Sequence, residues 1–565
     1  RTEKTAAVEE DLTKYVDPQI GIAHCRWFHV APGASPFGMA KPGPSTDGHL
    51  GNASGWEAVG YDFRHNSIEG FPNFHEFQIG GVVFMPTNGE LRTIPGALDF
   101  SDRGYRSKFN KEDEILNPGY YSVILKDYNI RAELTSTDRV SFHRYTFPAN
   151  DKSHILFDIG NKQGESGEVT AASVVLAEDG HVEGFVETYP EYVKKYQTGA
   201  SVRMYFYAIL DKKPDEYGIF HGTRTEAGKR TATGRGAGLY LTFSTRDNES
   251  INIKAGLSYT SVENARLNLE AEAGNLGFDE ARKAAHENWN AWLGRIHVEG
   301  NNHEDKVKFY TGLYHALLGR GLASDINGAY PRHDGTNGMI PAGSDNKPEF
   351  RFYNTDAIWG GQWNLIQLWA LAYPEYTTDF VKTHLRVYED AGWLGDGLAC
   401  SKYVSGVGTN QVPLAIVSAY MCGIRDFDLQ KGYEASLKNE TVSKNRVFGA
   451  GKMDVGEFVK YGYVPYKSTG KGPDELWKFS CSHTLEYSFT SYAVAQFAKA
   501  LGKNDDYEML MELSKGWEKI YNPEKKMMWP KFADGSFNGN FDATVPHDGF
   551  QEGTAMQYTF YVPHD

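Results

Sequence analysis

The chain changes its hydrophobic rhythm once. From about residue 15 to residue 260, short β-branched and aromatic runs recur, as over 120–125, 140–147, 201–207 and 238–243. Several alternate apolar and polar positions with period two, and clusters of Gly, Asp, Asn and Pro part them. Strand after strand with no helical period between predicts an antiparallel β-sandwich over 15–260. Near Val262 the spacing shifts. Leu267, Leu269, Phe278, Ala281, Ala285, Trp289, Trp292 and Leu293 recur at helical intervals, broken at Gly274 and Gly277. That spacing predicts a helical linker over 261–300. From 301 to 565 the pattern predicts a helical domain, with helices at 309–318, 363–371, 412–421, 484–501 and 507–520. Long Gly- and Pro-rich loops lie between them, the usual place for binding residues. Helix pairs behind a sandwich suggest an (α/α)6 toroid.

Composition narrows the function more than the fold. The 565 residues exceed the ~100–200 of one domain several times over. Aromatic residues make up 14%, with 11 Trp and 34 Tyr. Flat aromatic faces stack on the C–H faces of sugar rings, but large cores consume aromatics too, so both explanations stay open. The net charge of −15, with no dense Lys/Arg run, argues against nucleic acid as a partner. No apolar run approaches the ~20 residues of a transmembrane segment. Cys25, Cys400, Cys422 and Cys481 lie far apart without zinc spacing and are expected to be buried thiols. The polar stretch from Arg1 to Lys14 suggests the start of a processed or recombinant chain. The Gly-rich 234–238 precedes a strand, 468–472 lacks phosphate-loop spacing, and there is no HExxH.

Longer motifs point to one family. Asp17-Pro-Gln-Ile-Gly21, Pro32-Gly-Ala-Ser-Pro-Phe-Gly-Met39, Ile68-Glu-Gly-Phe71 and Met85-Pro-Thr87 come first, then Ser261-Val-Glu-Asn-Ala-Arg-Leu-Asn-Leu269 at the junction. Phe309 to His315, Tyr461 to Pro465, Thr484-Leu-Glu-Tyr487 and Glu552-Gly-Thr-Ala-Met-Gln-Tyr558, running on to Asp565, follow in order. From Lys14 onward the chain resembles glycoside hydrolase family 92, the calcium-dependent exo-acting α-mannosidases. The resemblance implies a sandwich followed by an (α/α)6 toroid, and inverting release of terminal mannose, α-1,2-linked first of all, from an oligosaccharide or N-glycan. It also implies Ca2+ as cofactor and a secreted or periplasmic bacterial setting. Glu552 takes the place of the general acid. Such a group must hold its proton at working pH, which needs burial or a nearby negative charge. A second carboxylate ~6.5–9.5 Å away must activate water.

The departures matter as much. The family's general base, on an acidic segment beyond the acid motif, has no counterpart before Asp565. An incomplete toroid is expected, with most calcium ligands absent and no metal ligand assigned in this chain. The family's Trp-Asp pair stands as Trp359-Gly360, with Asp356 four residues earlier as a possible substitute. Met556 stands where an aromatic is usual. The candidate substrate-binding residues are Trp359, Asp356, Trp27, His24, His75 and Glu486, each weighed against core packing, a cap or a buried ion pair. Two alternatives stay open: the same fold acting on another α-linked sugar, or a glycan-binding protein without turnover.

Overall fold

The computed structural model describes residues 10–23, 31–47, 60–76, 78–98, 104–161, 163, 166–355, 358–404, 409–467 and 479–565. They fall into two compact units, 10–354 and 355–565, except that 195–198 and 332–334 group with the second.

The first unit is built on two antiparallel sheets. Nine strands lie in the order Thr231–Thr233, Glu168–Leu176, Val182–Tyr189, Val202–Leu210, Glu249–Ser258, Val140–Phe147, Ile130–Ser136, Tyr120–Leu125 and Ile115–Asn117. The other sheet has six: Arg224–Ala227, Glu216–His221, Ala237–Thr245, Asn150–Asp158, Ile79–Asn88 and Phe71–Glu76. The sheets meet through Phe84, whose ring lies 6.1 Å from Phe206 and 5.0 Å from His143, and through Phe71 and Tyr145. A sandwich therefore stands where the period-two pattern places it.

The strands differ in how many faces are covered. Val182–Tyr189 alternates buried and half-buried positions, one face packed and one partly wet. Val140–Phe147 is mostly buried along its length. His143 and Tyr145 face the six-stranded sheet. Val140 and Phe142 pack instead under Leu269, Ala273, Phe278 and Ala281. Those four belong to the linker, which forms two helices, Val262–Ala273 and Phe278–Leu293. Ser261 caps the first by accepting the Asn264 N–H at 3.0 Å. The break at Gly274 and Gly277 falls where the sequence puts it.

The second unit is helical. Pro374–Ala391, Leu429–Thr441 and Val455–Tyr461 join the segments that periodicity picks out. Pro374 looks in sequence like a stop after Leu365–Ala372, yet it occupies the first turn of the next helix, where its missing N–H costs nothing. That helix ends in a left-handed Gly392. Ser480–Ala500 is the longest, with buried residues on most of its faces. Two of its inward-facing hydroxyls are satisfied by bonding back along the helix, Thr484 to the Ser480 carbonyl at 2.8 Å and Ser488 to the Thr484 carbonyl at 2.7 Å. Cys400 and Cys481 are buried as expected, whereas Cys422, just beyond Gln411–Met421, is exposed. Cys25 lies outside the described residues.

Candidate functional site

Glu486 sits in the second turn of Ser480–Ala500 and is 3% exposed. Three neutral donors from three other segments converge on it. The Trp359 indole N–H donates to Oε1 at 3.0 Å. Gln411, the first residue of Gln411–Met421, donates its amide to Oε2 at 2.7 Å. The Tyr561 hydroxyl donates to the same oxygen at 2.9 Å and accepts from Gln362 in turn. Such a chain polarises each bond toward the carboxyl. Burial pushes Glu486 up to about 7, while the Trp359, Tyr561 and Gln411 bonds and the nearby His483 pull it back. Near neutral pH the group can therefore hold or release a proton.

The carboxyl opens on a cavity of about 460 Å³ walled by Trp359, Trp363, Tyr558, Phe560 and Tyr561, with Gly360 at its edge. Trp363 and Phe560 are 67% and 83% exposed, far more than large aromatics usually are. A Cβ on Gly360 would meet nothing within 4 Å. Tyr558 closes the short helix Ala555–Tyr558, which Thr554 and Gln557 fix by a capping box. Its phenol is held protonated by burial first, then by the charges of Glu486 and Glu552.

The structure brings two of the sequence candidates, Trp359 and Glu486, into direct contact. Glu552 does not line the cavity. Its side chain is exposed, its backbone is left-handed at φ 52°, and its N–H donates to His547 Nδ1 at 3.2 Å. The adjacent Gln551 carbonyl accepts from the Tyr558 hydroxyl at 2.7 Å, tying that turn to the cavity wall. His75 lies in the first unit on Phe71–Glu76, a strand buried at every position, and burial pushes it down to about 3. His24, Trp27 and Asp356 lie outside the described residues. Trp363, Gln411, Tyr558 and Tyr561 were missed. Tyr558 and Tyr561 stand inside the motif that begins at Glu552, so the signal was present; for Gln411 there was none.

A larger cavity, about 550 Å³, lies within the first unit. Four of its charged side chains pair off, Asp138 with Arg351 and Arg139 with Glu272, while Asp325 accepts from Ser258, Thr260 and Asn268. Among the described residues no group of three or more His, Cys, Asp or Glu side chains is arranged to hold a metal ion. Among them, too, no helix is long and apolar enough to cross a membrane.

Comparison with known proteins agrees with this architecture. An uncharacterized secreted glycosidase of Arthroderma benhamiae is 26% identical over 94% of this chain, and the chain spans 65% of that relative's length. A solved family 92 α-mannosidase of Bacteroides thetaiotaomicron superposes with a TM-score of 0.87 at 26% identity, over 98% of this chain and 72% of the other. Its complex with mannoimidazole gives 0.88 at 25% identity, over 98% and 71%. The model of the glycosyl hydrolase family 92 N-terminal domain matches residues 15–258, and that of the family 92 catalytic domain matches residues 264–565. With both of its units matched by models of one family, this chain belongs to glycosyl hydrolase family 92.

Proposed function

We propose that the protein is an α-mannosidase-like glycoside hydrolase that removes terminal mannose from a glycan, α-1,2-linked mannose above all, with inversion and in the presence of Ca2+. The observation that carries this is Glu486: a buried carboxyl, fixed by neutral donors, facing a cavity walled by aromatic rings. Tyr558, Phe560 and the two indoles offer flat surfaces to the C–H faces of a pyranose. Glu486 offers an acceptor to its hydroxyls. A site that hydrogen-bonds a hydroxyl rejects sugars lacking it, because the buried group is then left unpaired.

Glu552 is the proposed proton donor, by its place in the family motif. Its side chain is exposed, so proton donation requires that a bound glycan cover it and exclude water. The calcium requirement and a secreted or periplasmic setting come with the family resemblance, and the setting agrees with the name of the Arthroderma relative.

The test is turnover of aryl α-glycosides. The whole protein is expected to release mannose with the β-anomer first, to lose activity with chelator, and to lose about 10²–10⁴-fold in kcat on Glu552→Gln. Full activity in that variant would end Glu552's role. The open space beside Gly360 favours a second outcome, in which a different α-linked sugar is preferred. Binding of mannoimidazole with no sugar released from any glycoside would identify a glycan-binding protein instead, which the exposure of Glu552 favours.

A further inference from the structure

Gln362 has no part in the proposed turnover. It lies in a single tight turn, Gly361–Trp363, between the two indoles of the cavity wall in sequence, and is 6% exposed. Its backbone carbonyl accepts from the Gln367 side chain at 2.8 Å, which ties the turn to the helix Leu365–Ala372. Its own amide reaches out of that local structure and donates to the Tyr561 hydroxyl, 199 positions on. The Tyr561 ring in turn walls the cavity, 5.3 Å from Trp363 and 6.2 Å from Tyr558 between centroids.

A phenol has one proton to give. Tyr561 gives it to Glu486 Oε2 at 2.9 Å, so toward Gln362 its oxygen can only accept, and Gln362 must present its NH2. The other partners of Glu486 are the Trp359 indole, which has no accepting lone pair, and the Gln411 amide. Of the three, the phenol dipole is the most easily reversed, because rotation about one C–O bond turns its proton elsewhere. A proton turned toward Gln362 would meet an N–H, so the Gln362 bond holds the phenol in one sense.

We propose that Gln362 is a positioning residue that sets specificity: it keeps the Tyr561 proton on Glu486, so that all three dipoles at that carboxyl point toward it and the pocket selects a ligand hydroxyl that donates over a group that only accepts. The proposal deepens the reading of the Glu486 cavity as the sugar site and rests on it for function. The coupling through Tyr561 is measurable without sugar.

The Trp359 indole N–H donates to the other oxygen of the same carboxyl and so reports on it. In protein labelled with 15N-tryptophan at about pH 9, with the signal assigned through Trp359→Phe, wild type is compared with Gln362→Met, Tyr561→Phe and the double variant. Gln362→Met is expected to move the signal toward its Tyr561→Phe position, and to move it no further once the phenol is gone, since members of one chain of bonds are not additive. Equal displacements in the two backgrounds, or none in either, overturn the proposal. If Gln362→Met does not fold, Gln362→Glu replaces it. Similar in size, its carboxylate draws the phenol proton away from Glu486, and an unmoved Trp359 signal then overturns the proposal.

Ligand binding is the second measure, with methyl α-mannoside and its monodeoxyfluoro analogues, in which fluorine replaces one hydroxyl and cannot donate. Wild type should bind one analogue about tenfold more weakly than the parent, and Gln362→Met should narrow that gap to about threefold. No gap in wild type, or one that Gln362→Met leaves unchanged, overturns the selection. A protein that ignores every one of these sugars while Trp359 keeps its non-additive shifts would lose the functional reading and keep the coupling.

Discussion

Two glutamates, one in each unit, are pushed up to about 7 by burial, and they could hardly be held more differently. Glu76 ends a strand of the six-stranded sheet. Its Oε1 takes two long bonds, 3.2 Å each, from Tyr259 and Asn354, while Oε2 has no hydrogen-bond partner among the described residues. The charges of Lys41 and Arg320 draw its proton affinity back down. Lys41 is itself pushed down to about 8 by burial and donates to the Leu318 carbonyl at 2.9 Å. Among the described residues Glu486 has no cation in hydrogen-bond contact, but three well-placed neutral donors and an open cavity in front. Desolvation alone therefore does not mark a site. What marks one is a carboxyl whose supporting dipoles are fixed and whose remaining lone pair faces empty space.

The comparison breaks first on activity. Glu486→Gln is expected to lower kcat/KM by about 10²–10³-fold, the usual cost of losing a fixed polar contact in a reacting site. Glu76→Gln should change it less than about threefold, a difference steady-state kinetics would show. Equal losses would mean that the cavity is not the site.

Stability reverses the ranking. Glu76→Leu removes a countercharge from Lys41 and should cost about 3 kcal/mol in urea unfolding, since a buried charge is left uncompensated. Glu486→Leu orphans only neutral donors, some of which reach cavity water, and should cost about 1–2 kcal/mol.

The pH dependence is smaller and shared. Both groups bind protons more tightly folded than unfolded, so between the ordinary glutamate range and about pH 7 the native state holds more protons. Stability contributed by the protonated forms is complete below pH 4.5 and is lost as pH rises through about 7. Either Gln variant should flatten that slope, read as urea midpoints at pH 5 and pH 8. The smallest effect concerns Gly360. Replacement by Ala should shift stability by no more than about 0.5 kcal/mol, because the new methyl touches nothing. Replacement by Asp should move sugar preference without unfolding the protein, seen across a panel of aryl glycosides.

Sequence pattern discloses what has a period or a motif. The sandwich strands and the two linker helices were legible because their apolar positions repeat at two and at about 3.6. Glu486 was legible only as one candidate among several, since Thr484-Leu485-Glu486 marks the residue but says nothing of what surrounds it. Its donors come from 75 and 127 positions away, and no local rule selects Gln411 from the other glutamines. His75 shows the same limit: it stands on a strand buried at every position, and neither its neighbour Glu76 nor the local pattern tells a binding histidine from a packed one.

The doubly covered strand Val140–Phe147 sets a limit on how the polypeptide may be divided. One of its faces is finished only when Leu269, Ala273, Phe278 and Ala281 arrive, more than a hundred residues later. A polypeptide ended at Ser258, where the sheet closes, would leave Tyr120, Val140 and Phe142 bare to solvent and to one another's copies, a greasy stripe that invites clumping. The smallest soluble piece of the sandwich should therefore carry its two helices with it, so that during synthesis these strands wait for the linker to emerge before their packing is complete.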